Sequence, residues 1–173
     1  MKKLFTLLAL TMSFSMNAQM SDYSEGTSAT GSNAVAMGKS TTASGSRSTA
    51  MGGDSTASGD FSVAMGRGTT ASGTNSTAMG SGTIASGNNS SAMGYYTTAS
   101  GHKTTAMGAN TTASDYASLV IGQFNSSGSS VTNNATSFNT ANTAFVIGNG
   151  TDSSNKSDAF KVMFNGDTTV SND

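Results

Sequence analysis

Glycine stands at positions 31, 38, 45, 52, 59, 66, 73, 80, 87, 94, 101 and 108, always seven residues apart, without one insertion. Alanine precedes each of these glycines by two residues, from Ala29 to Ala106, and continues at Ala113. Between the two, the residue alternates. It is Met at 37, 51, 65, 79, 93 and 107, with Ile121 continuing the series, and Ser at 44, 58, 72, 86, 100 and 114. A pattern this regular means that the backbone repeats itself every fourteen residues, in two similar halves.

A seven-residue period invites a coiled coil, but a glycine in every heptad costs about 1 kcal/mol relative to alanine in a helix, and a dozen cannot be offset. Collagen needs glycine at every third position and is excluded as well. A strand of about five residues followed by a turn of about two fits the period. Turn pairs such as Lys39-Ser40, Asp60-Phe61, Thr74-Asn75, Asn88-Asn89 and Tyr95-Tyr96 follow the glycines, which enter turns readily because positive φ is cheap for them. Two strands and two turns per fourteen residues predict an all-β fold, one coil at a time, of a flattened parallel β-roll.

Alternation along each strand gives every side chain a face. Ala36, Ala43, Ala50, Ala57, Ala64, Ala71, Ala78, Ala85, Ala92, Ala99 and Ala106, with the Ser or Thr that stands two residues before all but the first, are expected to fill a narrow interior. One outer face is then greasy, carrying Val35, Met37, Met51, Val63, Met65, Met79, Met93, Met107, Leu119 and Ile121. The other is wet, with rows from Thr42-Ser44 to Thr112-Ser114 interrupted by Ile84. Coils about 4.8 Å apart make the greasy stripe roughly 30 Å long. Left open to water it would invite aggregation, whereas identical chains packed about a symmetry axis would cover it. Methionine, flexible and gap-filling, suits such a contact better than it suits metal chelation at this even spacing. The faces alone leave dimer and trimer open.

Composition agrees with a thin interior and removes several functions. Only 35% of the 173 residues are hydrophobic, yet the formal net charge is −1, so charge repulsion does not hold the chain open. There is no cysteine, hence no disulfide, thiol nucleophile or cysteine metal site. His102 is the single histidine and Glu25 the single glutamate, so a Ser-His-Asp set could use only His102, which sits in a repeat turn with no positioned partner. Asp54, Asp60 and Asp115 lack the spacing of a calcium loop. Lys39, Arg47, Arg67 and Lys103 form no basic stripe for nucleic acid. No enzyme, metal or cofactor is expected.

The N-terminus reads as an export signal over residues 1–18. Lys2 and Lys3 precede the apolar run from Leu4 to Met12, too short for a membrane span, with cleavage expected after Ala18. A lead-in covers 19–27, the repeats 28–122 and a β-rich cap or connector 123–173. No later segment is expected to cross a membrane, so the product is expected outside the cell, secreted or at its surface.

The units Ala34-Val35-Ala36-Met37-Gly38 and Ser62-Val63-Ala64-Met65-Gly66, alternating with Thr41-Thr42-Ala43-Ser44-Gly45, resemble the head repeats of trimeric autotransporter adhesins of the YadA type. The resemblance runs from about Ser28 to Gly122. It implies a left-handed parallel β-roll, a homotrimer, an outer-membrane-associated location and binding of host or matrix proteins, but neither the stalk nor the anchor of that family has a counterpart here.

Beyond Gly122, the stretch Ala144-Phe145-Val146-Ile147-Gly148 echoes Ser118-Leu119-Val120-Ile121-Gly122, and Ala159 to Phe164 reads as a strand entering a tight turn at Asn165-Gly166. Phe61, Tyr95, Tyr96, His102 and Lys103 are the turn side chains best suited to touch a ligand, since exposed aromatics are frequent anchors. Two other readings remain at this stage: a ligand-free fibre segment, and an ice-binding solenoid that uses the Thr and Ser rows.

Overall fold

A computed structural model describes residues 18–20, 26–128 and 131–171. The expected export signal therefore lies outside the described residues except for Ala18. The chain is an all-β parallel solenoid of about seven coils, each fourteen residues long. Two sheets form its walls. One has seven two-residue strands, from Ser28–Ala29 to Thr112–Ala113, all parallel and in register at fourteen-residue offsets. The other has eleven strands, among them seven of five residues from Val35–Lys39 to Leu119–Gln123.

The two half-repeats therefore differ more than their sequences suggest. Five-residue strands form only on the methionine side, where the chain stays extended through its glycine. Glycines 38, 52, 66, 80, 94, 108 and 122 take φ between 95° and 132° there, while the serine-side glycines keep negative φ. What both glycine columns share is closeness. A Cβ on Gly31, Gly38, Gly66 or Gly87 would come within 2.0 Å of the carbonyl oxygen of the glycine one coil on. Stacking, more than turning, is what demands glycine.

The turns are made by other residues. Asn33, Arg47, Phe61, Asn75, Asn89 and Lys103 on one edge, and Ser40, Asp54, Tyr96 and Asn110 on the other, hold φ between 49° and 59°. Such left-handed backbone costs about 1–2 kcal/mol for a residue with a Cβ. The return is a hydrogen bond, because from Arg47 to Asn110 these residues turn their N–H groups onto carbonyls of the preceding coil. Arg47 donates to Ser32 at 2.7 Å, Phe61 to Ser46 at 2.8 Å, Asp54 to Lys39 at 2.9 Å and Tyr96 to Ser81 at 2.8 Å. Strands and turns alike thus stack as ladders, which is how a coil with so little side-chain volume meets its backbone hydrogen-bonding needs.

The interior is as narrow as its residues. Ala36 through Ala113, at every seventh position, are fully buried, as are the residues two positions before them, Ala34 for the first and Ser or Thr from Thr41 to Thr111. Val120 and Val146 take over the alanine position at the C-terminal end, where the roll widens.

The methionine-side sheet does not stop at Gly122. Thr143–Asn149 adds as its next parallel strand, pairing Leu119 with Phe145, Ile121 with Ile147 and Gly122 with Gly148. The echo in the sequence is one more rung, reached after a longer excursion. Asp158–Met163 and Thr168–Val170 then continue the sheet antiparallel. At the opposite end Ala18–Met20 pairs with Val35–Lys39, setting Met20 in register with Met37.

Two side chains close the serine-side sheet. Asp115 occupies the glycine column, is fully buried, and accepts from Thr132 N–H at 2.6 Å and Thr143 N–H at 2.7 Å. Asn125 imitates a peptide group against the last short strand, with Oδ1 accepting from Thr112 N–H at 2.8 Å and Nδ2 donating to Thr112 O at 3.0 Å. Ser114, expected on the wet face, is consequently buried under Gly128, whose carbonyl accepts its N–H.

Two stability predictions follow from these contacts. Gly66→Ala should destabilise the roll by about 3 kcal/mol or more, since its Cβ would meet Gly80 O. Gly53→Ala, with open space at its Cβ, should stay within about 0.5 kcal/mol of wild type in thermal unfolding followed by circular dichroism. Asp115→Ala strands two N–H groups and should cost about 2–4 kcal/mol in the same measurement.

Candidate functional site

Strand parity sends Met37, Met51, Met65, Met79, Met93, Met107 and Ile121 outward from the long sheet, and in-register pairing sets each beside the next. All seven are half-buried on the single chain, shielded only by their neighbours in the row. Val35, Thr49, Val63, Thr77, Ser91, Thr105 and Leu119 form a second row beside them, more polar in its middle. The ladder is therefore continuous, one apolar side chain wide in the repeats, with small or hydroxyl-bearing side chains along its flank.

The opposite wall presents Thr42, Thr56, Thr70, Ile84, Thr98 and Thr112 in register. Its serine column at 44, 58, 72, 86 and 100 lies beyond the ends of the two-residue strands and is exposed throughout.

The five candidate ligand contacts fall on two edges. Phe61, His102 and Lys103 lie on the turns that lead from short to long strands, whereas Tyr95, expected in a turn, is the last residue of a long strand and Tyr96 begins the turn that leads back. No single patch gathers all five. Each is engaged by a neighbour. Arg47 packs its guanidinium over the Phe61 ring at 5.1 Å, one coil away. Tyr95 and Tyr96 meet edge to face at 4.5 Å, and the Tyr96 ring covers Gly82. Lys103 donates to Tyr116 Oη at 2.7 Å, and His102 donates its backbone N–H to Ala135 O at 2.7 Å beneath the C-terminal segment. Phe61, Tyr95 and Tyr96 nevertheless remain 47%, 54% and 56% exposed, so the aromatic faces are open and His102 is less so.

The edges are braced by side chains that copy backbone. Asp60 Oδ1 accepts from Ser46 N–H at 2.9 Å, and Asn88 Oδ1 from Thr74 N–H at 3.1 Å, each one coil back. Near the C-terminus Asp152 is held below the usual carboxylate range, first by the Asn155 side-chain amide and then by the backbone N–H groups of Ser154 and Asn155. It closes a loop. Among the described residues no three carboxylate or imidazole groups gather as a metal site would require, and no helix is long and apolar enough to cross a membrane.

Sequence reasoning overlooked Asp115 and Asn125, the end-caps, and the outward side chains of the last strands. Asp115 carried a readable signal, because it breaks the glycine column at the point where stacking ends.

With the geometry in place, comparison with known proteins is short. Four stretches, 29–55, 43–69, 71–97 and 99–125, match the model of the YadA head domain repeat, each as two copies, and together they span more than half of the chain. A comparison with curated proteins finds no match. The matched stretches are the coils that carry the methionine row, and the chain belongs to the YadA head domain repeat family, a non-catalytic family of adhesin heads.

Proposed function

We propose that three copies of this chain associate through their methionine faces into a trimeric head of left-handed rolls, carried outside the cell at the outer-membrane surface, where it holds cells to matrix proteins or to one another. The trimer, the handedness and the adhesive role are those of the family to which the repeats belong. The export signal over 1–18 supplies the route.

The observation that carries this reading is the unbroken in-register apolar row on one wall of the roll. A single chain gains little from its own interior. Alanine burial removes small areas from water, at about 25 cal/mol per Å². Buried hydroxyls of Thr41, Ser62, Ser76, Thr83, Ser90, Thr97 and Thr111 find no hydrogen-bond partner among the described residues. Covering seven large side chains between three chains adds the apolar burial that the coils lack.

Contacts with a ligand then fall to the turn edges, with Phe61 on one and Tyr95 and Tyr96 on the other as the aromatic anchors, and Lys103 and His102 beside the C-terminal segment. A ligand-free shaft is the second reading, favoured by the engagement of these side chains with their own neighbours. Ice binding has less support, because only the threonine column of the wet face is held in strand.

Light scattering on the mature chain should return three times the monomer mass. Met65→Asp, Met79→Asp and Met93→Asp together should abolish that mass or the fold; an unaltered trimer would exclude the methionine face as the interface. Cells lacking the protein should adhere less to immobilised matrix proteins and to each other. Phe61→Ala combined with Tyr95→Ala and Tyr96→Ala should lower adhesion several-fold while the trimer mass is kept. Unchanged adhesion by cells lacking the protein would leave the shaft reading.

A further inference from the structure

The apolar wall does not end with the family repeats. Registers fix which residues of the last three strands share the outward face: Ile121 pairs with Ile147, Ile147 with Phe160, and Phe160 with Val170. The methionine row thus continues as Ile121, Ile147, Phe160 and Val170. The flanking row continues in step, since Leu119 pairs with Phe145, Phe145 with Val162, and Val162 with Thr168. Residues facing the other way at these rungs are Val146, Lys161 and Thr169, of which Val146 is fully buried in the end of the roll.

The character of the wall changes along this line. In the repeats the flanking row is mostly Thr and Ser; over its next three rungs it is Leu119, Phe145 and Val162, before it ends at Thr168. Two adjacent columns are now apolar instead of one, and across them Phe145 meets Phe160 edge to face at 6.0 Å. Val170 is 65% exposed, and Phe145, Ile147, Phe160 and Val162 are half-buried. The patch is continuous with the methionine face on one unbroken eleven-stranded sheet.

We infer that the segment 143–170, outside the family match, is part of the same interface, and that its occupant is the equivalent segment of two further copies of this chain. This rests on the trimer reading above. Continuity decides the occupant: a straight row cannot pack on identical neighbours as far as Ile121 and leave a wider, more apolar extension of itself in water. The last strands act as a clamp at the C-terminal end of the head, where aromatic and branched side chains fix the register between chains that flexible methionines leave loose.

Two variants of the full mature chain test this. Phe160→Asp should dissociate the trimer or lower its melting temperature by several degrees. Because that variant could also fail to fold, a single-cysteine pair gives the second readout, clean in a chain with no cysteine of its own. Phe160→Cys treated with a short bismaleimide should yield cross-linked pairs of chains, and Lys161→Cys, facing the other way, several-fold fewer. A wild-type trimer in which Phe160→Asp changes neither mass nor melting temperature, or in which Phe160→Cys cross-links no better than Lys161→Cys, overturns the clamp and leaves the methionine interface standing. A monomeric wild type removes both.

Discussion

The distance between successive coils governs this molecule. Hydrogen-bonded strands sit about 4.8 Å apart, and at the two tightest points of each coil that spacing leaves no room for a Cβ: one placed on Gly31 or Gly66 would lie 1.9 Å from the next glycine's oxygen. Every coil must therefore bring glycine to the same two places, so every coil must have the same length. The absence of insertions between 31 and 108 follows. So does the site of the first irregularity, for the chain departs from its fourteen-residue step only after the glycine column has given way to Asp115, whose side chain accepts the amides that another coil would have engaged.

The same closeness sets the division of labour among side chains. Walls joined by such short turns enclose a space that alanine, serine and threonine fill, so larger residues must stand outside. A protein that places its bulk outward on one wall has moved its large apolar side chains from the interior to a surface. Membership of the YadA head repeat family and the half-buried state of the methionine row are two aspects of this single arrangement. The threonine wall, by contrast, is chemically content in water.

How much of this could be read from the residues depended on whether the physics was local. Period, interior alanines and the two outer faces follow from spacing and strand alternation, and positions such as Ala64 and Met65 can be placed without coordinates. The unequal strands could not, because Thr42-Ala43-Ser44 and Thr49-Ala50-Met51 have the same local propensities; what differs is the path beyond Ala, decided by contacts fourteen residues away. The left-handed turns were legible at Asn33, Asn75, Asn89, Asn110 and Asp54, whose residue types tolerate that backbone, and hidden elsewhere. Nothing in Arg47, Phe61 or Tyr96 favours positive φ, and they adopt it because an N–H must reach a carbonyl of the preceding coil. The antiparallel strands after Gly148 needed the register to show which of Phe160 and Lys161 joins the apolar wall.

Freedom to vary is what remains once stacking, interior and apolar wall have claimed their positions, and it is confined to the turn residues and the threonine wall. In Ser46-Arg47, Asp60-Phe61, Tyr95-Tyr96 and His102-Lys103 the second residue holds φ between 49° and 59°. A side chain exchanged there alters the edge without altering the coil, provided that the second residue of the pair tolerates φ near 55°. A surface built in this way is long and serial, with one or two side chains contributed per coil. Such a surface offers a line of side chains along an edge and no pocket, and Phe61 and Tyr95 lie on opposite edges.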